Sequence, residues 1–171
     1  MIIVCEKGVV ISMDFTKVVL SRRAIRNYKT DPVPEEILQR LYEAMNAAPS
    51  GNNHQPYRFI FVRKDDIRKE LALRACHQDF LLNAPILVAA CCEKDRAFDT
   101  AIAMEHLILS ATNEGLGSCL IGWFEREIVR EILNIPHNHE IPILASIGYA
   151  AESPEAKPRK PLNELISYDR F

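Results

Sequence analysis

The sequence predicts a single domain of the α+β class, and three observations carry that expectation. Segments with helical and with strand-like apolar spacing alternate along the chain at irregular intervals. Their order, two helices followed by β-α-β-α-β-α-β, departs from the regular alternation that builds a parallel sheet. No repeat, linker or composition shift divides the chain, and its 171 residues suffice for one hydrophobic core.

Met1–Ser12 carries no helical pattern and Met13-Asp14-Phe15 reads as an alternative start, so 1–13 is taken as an N-terminal extension. Phe15, Val18 and Val19 have helical spacing within Asp14–Ser21, which leads into the basic segment Arg22–Tyr28. Pro32 and Pro34 then interrupt the chain. Pro34 suits the first position of a second helix, and Glu35 and Glu36 complement its positive end. Ile37, Leu38, Leu41, Tyr42 and Met45 form its apolar face, and it ends before Pro49.

Pro49–Pro56 is a polar loop rich in amides, Tyr57–Val62 a strand, and Asp65–Ala75 a helix with its charges outward. Ile86–Cys92 is a continuous apolar run, the pattern of a strand covered on both faces. Phe98–Glu114 is helical and apolar almost all round, so burial at the centre of the domain or against a second chain is expected. Gly115 and Gly117 are expected to end it. Cys119–Ile121 and Pro142–Tyr149 are strands on either side of a short helix, Glu125–Leu133. Glu152–Phe171 is a tail with proline and lysine that finishes in an amphipathic turn around Leu162–Ile166.

Composition narrows the function classes. An apolar share of 48% with 26% charged residues is that of an ordinary globular protein. No apolar run reaches the roughly 18 residues that cross a bilayer, and Glu6 and Lys7 spoil the opening stretch as a signal peptide, so a cytoplasmic protein is expected. A net charge of −2 argues against nucleic acid as the main partner. Cys5, Cys76, Cys91, Cys92 and Cys119 form no CxxC and no metal-ligand spacing, so buried reduced thiols are expected.

Four segments could carry chemistry. Arg22-Arg23-Ala24-Ile25-Arg26 offers guanidinium groups, whose fixed paired donors suit a phosphate. Ser50-Gly51-Asn52-Asn53-His54-Gln55-Pro56 offers a hydroxyl and three carboxamides, donors and acceptors for a polyhydroxyl chain or a heteroaromatic ring. Gly115-Leu116-Gly117-Ser118-Cys119-Leu120-Ile121-Gly122 runs from helix to strand, the reverse of a dinucleotide phosphate loop, and Gly122 would let a planar ligand lie against the backbone. Lys157-Pro158-Arg159-Lys160-Pro161 holds three cations extended between prolines. Taken singly, each also reads as a solvated face, a turn or a charged tail. No nucleophile–base pattern, paired carboxylates or metal-ligand spacing stands out, so a bound cofactor would have to carry any hard chemistry.

Taken together and in this order, the segments resemble the FMN-dependent nitroreductase family. Arg22–Tyr28 is similar to its RRSIRxF-like start, Pro49–Tyr57 to its PSxxNxQPW-like loop, Asp99–Gly122 to its DxxxAxxNLxLxAxxxGLGxCWIG-like stretch, and Arg159–Glu164 to its RKPLxE-like basic motif. The resemblance covers about Phe15 to Ile166 and implies a mixed or antiparallel central sheet flanked by helices, in an intertwined homodimer with FMN at the interface. It implies that Arg22, Arg23, Lys157 and Arg159 surround the FMN phosphate. Ser50, Asn53 and Gln55 would meet the ribityl chain and ring edge, with Ser50 and Gln55 serving a flavin whose phosphate the other chain holds. Arg26 would face N1/O2, and Ile121 and Gly122 would approach N5 through backbone.

The activity implied is a ping-pong transfer of reducing equivalents from NAD(P)H to a nitroaromatic, quinone or similar small acceptor, with no obligatory catalytic side chain. A dedicated metabolite reduction, a dehalogenation and a non-catalytic FMN carrier or sensor are the alternatives. Ala24 replaces the family's serine, Leu120 replaces its tryptophan, and the stretches between Arg63 and Pro85 and after Gly122 are too short for the inserted helices of larger members. An open site is therefore expected.

Overall fold

The computed structural model describes residues 14–171; the N-terminal extension 1–13, the alternative start at Met13 and Cys5 lie outside them. The expected order of elements is observed. Helices α1 (Phe15–Ser21) and α2 (Glu35–Asn46) precede β1 (Tyr57–Val62), α3 (Asp65–Glu70), β2 (Ile86–Glu93), α4 (Ala97–Asn113), β3 (Gly117–Ile121), α5 (Arg126–Leu133) and β4 (His139–Gly148). The four strands form one sheet in the order β1-β2-β4-β3, and every adjacent pair is antiparallel.

Strand β2 organises the core because it is apolar and buried along both faces from Ile86 to Cys92. Neighbouring side chains of a strand point to opposite faces. Ile86, Val88 and Ala90 accordingly join Leu38 and Leu41 of α2 and Met104, Leu107 and Ile108 of α4 on one side. Leu87, Ala89 and Cys91 join Leu71, Ala75, Cys76 and Val129 of α5 on the other. The central helix α4 is thus buried against the sheet and α2, as its all-round apolarity required. Its first turn differs: Phe98 is largely exposed.

Several local expectations are corrected. Pro34 is the residue before α2 and not its first member, with ψ at 149°. The helix expected over Asp65–Ala75 is α-helical only to Glu70; Leu71–Cys76 widens into a π-turn that keeps Leu71, Ala72, Ala75 and Cys76 buried together. The charges of that segment do not all face outward. Arg68 is 9% exposed because its guanidinium donates inward to the Ala84 carbonyl and to Asp65 Oδ1 at 2.8 Å.

Gly117 does not end α4. Gly115 does, at φ 75°, and Gly117 is already the first residue of β3. Strand β4 begins at His139, three residues before Pro142, because the ladder slips there: Ala90 pairs with Ile143 but Cys92 with Glu140. Ile141 and Pro142 thus face the single residue Cys91; a proline has no N–H to give, so this bulge lets an interior strand keep it.

Cys76, Cys91, Cys92 and Cys119 are buried free thiols. Burial pushes Cys76 and Cys91 up to about 11 from the ordinary 9.0. Between those values the folded protein keeps protons that the unfolded chain releases, so these thiols oppose folding as pH rises through that window. The urea midpoint is expected to fall between about pH 8 and pH 10.5, and iodoacetamide to modify neither thiol at about pH 8 without urea. A flat midpoint, or rapid labelling of the native protein, would contradict that burial.

Candidate functional site

The basic segment is held where β3 begins and β4 ends. Ile25 N–H donates to the Ser118 carbonyl at 2.9 Å, Lys29 N–H to the Tyr149 carbonyl at 2.9 Å, and Ala151 N–H to the Asn27 carbonyl at 2.8 Å. Glycine makes this approach possible. A Cβ on Gly117 would stand 2.6 Å from Ile25 Cγ1, and one on Gly148 would stand 2.4 Å from Pro85 Cδ and 3.1 Å from Tyr28 Cδ1. Tyr28 is buried, and its hydroxyl lies 2.8 Å from Ser146 Oγ; burial raises its pKa well above the ordinary 10.0. The arginines therefore stand on a rigid edge.

The basic segment and the C-terminal tail meet there. Arg22, Arg23 and Arg26 line one cavity of about 630 Å³ together with Lys157 and Arg159 of the tail. That volume is in the range of about 300–1,000 Å³ found for small-molecule sites. Among the described residues none of these five side chains is ion-paired. Arg23 Nη1 donates to the Leu20 and Arg22 carbonyls at 2.7 and 2.9 Å, while its buried Nε has no partner. These five cations outnumber the two carboxylates that line the same cavity, Glu152 and Glu155, an arrangement suited to an anion with several acceptor oxygens.

Glu152 shares this cavity, a residue that no sequence motif marks. Its Oε1 accepts from Arg26 N–H and, at 3.0 Å, from Asn27 N–H. The carboxylate thus ties down the backbone that carries Arg26. Nothing in the sequence signals this pairing, because 126 positions separate the partners.

The amide loop is not part of this cavity. It folds on itself: Ser50 Oγ accepts from Gln55 N–H at 2.9 Å, and Gln55 Nε2 donates to Asn53 O and Oδ1, both at 3.1 Å. Asn52, Asn53 and Gln55 all have positive φ, of 52°, 55° and 50°. Such conformations are uncommon outside glycine and cluster at functional sites. Gly51 N–H anchors the loop to Asp99 Oδ1 of α4 at 3.1 Å, and His54 lies 3.1 Å from Glu93 at the end of β2.

Register shows how far apart the two groups are. Glu93 pairs with His139 at the start of β4, whereas Gly117 pairs with Gly148 at its end. The ten residues of β4 span roughly 30 Å at about 3.3 Å per residue. Ser50, Asn53 and Gln55 therefore stand at the opposite end of the sheet from the cations of the same chain. Ile121 is buried in β3 and presents only backbone, and a Cβ on Gly122, the next residue, would meet nothing within 4 Å. No helix among the described residues is long and apolar enough to cross a membrane.

The chain is similar in sequence and fold to known proteins. A family profile described as "Putative TM nitroreductase" matches residues 14–170. The chain is 31% identical over 159 residues to the "Putative NADH dehydrogenase/NAD(P)H nitroreductase" of Methanothermobacter thermautotrophicus, covering 86% of this chain and 83% of that protein. It is 25% identical over 174 residues to the NADPH-flavin oxidoreductase of Vibrio harveyi, covering 90% of this chain and 72% of that protein. A nitroreductase family protein from Clostridium difficile 630 superposes with a TM-score of 0.84 at 30% identity, covering 93% of this chain and all of the other. The profile spans every described element of the antiparallel sheet and its helices, and the chain belongs to the nitroreductase family of oxidoreductases.

Proposed function

We propose that the protein binds FMN and passes reducing equivalents from NAD(P)H to nitroaromatic, quinone or similar small oxidised acceptors by a ping-pong cycle. The observation that carries this reading is the one cavity that Arg22, Arg23, Arg26, Lys157 and Arg159 line together. These groups fit the phosphate of FMN. When bound, the flavin supplies the redox chemistry, accepting hydride and returning electrons to the acceptor.

The chain's own residues bind and orient. Arg22, Arg23, Lys157 and Arg159 neutralise the phosphate, and Ser50, Asn53 and Gln55 satisfy the polar edge of the cofactor. Ile121 and Gly122 offer backbone where a planar ring would rest. Arg26 would put fixed positive charge near the N1/O2 edge of the ring, where reduction would place negative charge, and so would favour the reduced state. Arg26→Leu is expected to lower the two-electron potential by about 20–60 mV, equivalent to about 1–3 kcal/mol. A potentiometric titration without any shift would remove Arg26 from that role.

The separation of the amide loop from the cations supports a homodimer in which each FMN uses both chains. The described residues form one FMN-binding unit that is incomplete alone. Phe15 and Leu20 of α1 are 73% and 68% exposed, and Leu162 and Leu165 of the tail 71% and 62%, apolar surface suited to a second copy. Purified protein should be yellow, should run as a dimer, and should bleach on mixing with NADH or NADPH. A colourless preparation that fails to take up FMN would overturn the reading.

A further inference from the structure

The chain contains one tryptophan, Trp123, and the structure leaves it 69% exposed immediately after Gly122. A side chain of that size, amphipathic and aromatic, is rarely left in water without a partner. Its exposure is not the looseness of a loop. Phe124, the next residue, is buried with Arg126 stacked 4.8 Å from its ring centre. Glu125 N–H donates to the Ala75 carbonyl at 2.9 Å, and Gln78 Nε2 donates to the Trp123 carbonyl at 3.4 Å.

The opposing segment is itself unusual. The π-turn Leu71–Cys76 ends at His77 in the left-handed conformation, with φ 51° and ψ 42°. Such π-turns are rare and are frequent at functional sites. Here the turn delivers the His77 ring to 6.1 Å from the Trp123 ring, tilted by 54°, and Nε2 of His77 to 2.6 Å from Glu125 Oε1. Trp123 is thus buttressed along its backbone and beside its ring, while its remaining surface faces solvent.

We propose that Trp123, held by the His77–Glu125 pair, is the stacking surface that selects planar aromatic acceptors at the mouth of the site. This rests on the flavin reading above and adds the recognition element to it. Its place follows from the chain: Gly122 would offer open backbone for the cofactor ring, and Trp123 is the next residue. Among the described residues α5 is the one helix between β3 and β4, so the buttressed indole takes the part of covering the acceptor. Non-aromatic acceptors gain nothing from it.

Because Trp123 is the sole tryptophan, its fluorescence reports the site directly. Titrating the oxidised holoenzyme with menadione, without NAD(P)H, should quench the emission along a saturable curve. In steady state, Trp123→Ala should raise the menadione KM about tenfold with little change in kcat, the size of one lost aromatic stack. Trp123→Phe should recover most of that loss, and the KM for ferricyanide should move less than about twofold in either variant. Purely linear quenching, or menadione and ferricyanide KM values that rise together, would overturn the proposal. The yellow absorbance of each preparation reports the flavin separately: a yellow enzyme without the menadione effect counts against Trp123 alone, and absence of FMN overturns both readings.

Discussion

Arg22→Ala and Arg159→Ala are each expected to weaken FMN retention by about 2–4 kcal/mol, roughly 30- to 1,000-fold in dissociation constant. The size follows from what is lost. A guanidinium gives a phosphate paired, charge-assisted hydrogen bonds, and truncating it leaves phosphate oxygens poorly matched. Arg22 is half-buried and should fall towards the upper end; Arg159 is exposed, is better screened by solvent, and should fall towards the lower. The double variant should lose less than the sum, because both residues act on one anion.

Riboflavin, which lacks the phosphate, provides the discriminating measurement. Its affinity should be nearly the same in wild type and both variants, so the advantage of FMN over riboflavin is what collapses. Fluorescence titrations with both flavins at two salt concentrations would show this directly. FMN affinity unchanged in both variants would place the phosphate elsewhere.

Gly117→Ala is expected to lower both stability and FMN affinity, the former by about 1–3 kcal/mol. The new Cβ would lie 2.6 Å from Ile25 Cγ1, 2.9 Å from its Cβ and 3.0 Å from its Cγ2. No rotamer of Ile25 relieves the clash with its own Cβ, so backbone must move. The backbone that moves is the bridge between Ala24 and Ser118, from which Arg22, Arg23 and Arg26 project into the cavity. Gly122→Ala is the control for stability, since its Cβ meets nothing within 4 Å and should change the thermal midpoint little. Equal destabilisation by the two substitutions would mean that β3 does not set the position of the arginines by close packing.

Local physics made much of the fold legible. Apolar spacing placed α2, β1, β2 and α4 within about a residue or two of where they stand, because each of those segments buries one face or two against the sheet. Pro142 was a weaker guide. It marked the start of a strand only as long as the bulge opposite Ala90–Cys92 was unseen, and a bulge belongs to two strands. The π-turn at Leu71–Cys76 was hidden for a similar reason. The same apolar residues satisfy an α-helical pattern, and only packing against α5 and the sheet decides how widely the turn opens.

The same division runs through the site. Residue type marked Arg22–Arg26 as suited to a phosphate, since the guanidinium fork carries that preference wherever it stands, but only the resemblance across the four ordered segments joined Lys157 and Arg159 to them. Residue type also determined that Ser50, Asn53 and Gln55 form a polar loop, because amides, hydroxyls and Gly51 favour turns. Only the tertiary structure decided that the arginine segment and the C-terminal tail share one cavity, that Glu152 holds the backbone of Arg26 within it, and that the amide loop stands at the other end of β4. It alone decided that Trp123 is held in the open against His77. Local preferences act over a few residues of chain, whereas these pairings join positions far apart in sequence, 126 residues in the case of Arg26 and Glu152, through strand register and core packing that no single segment encodes.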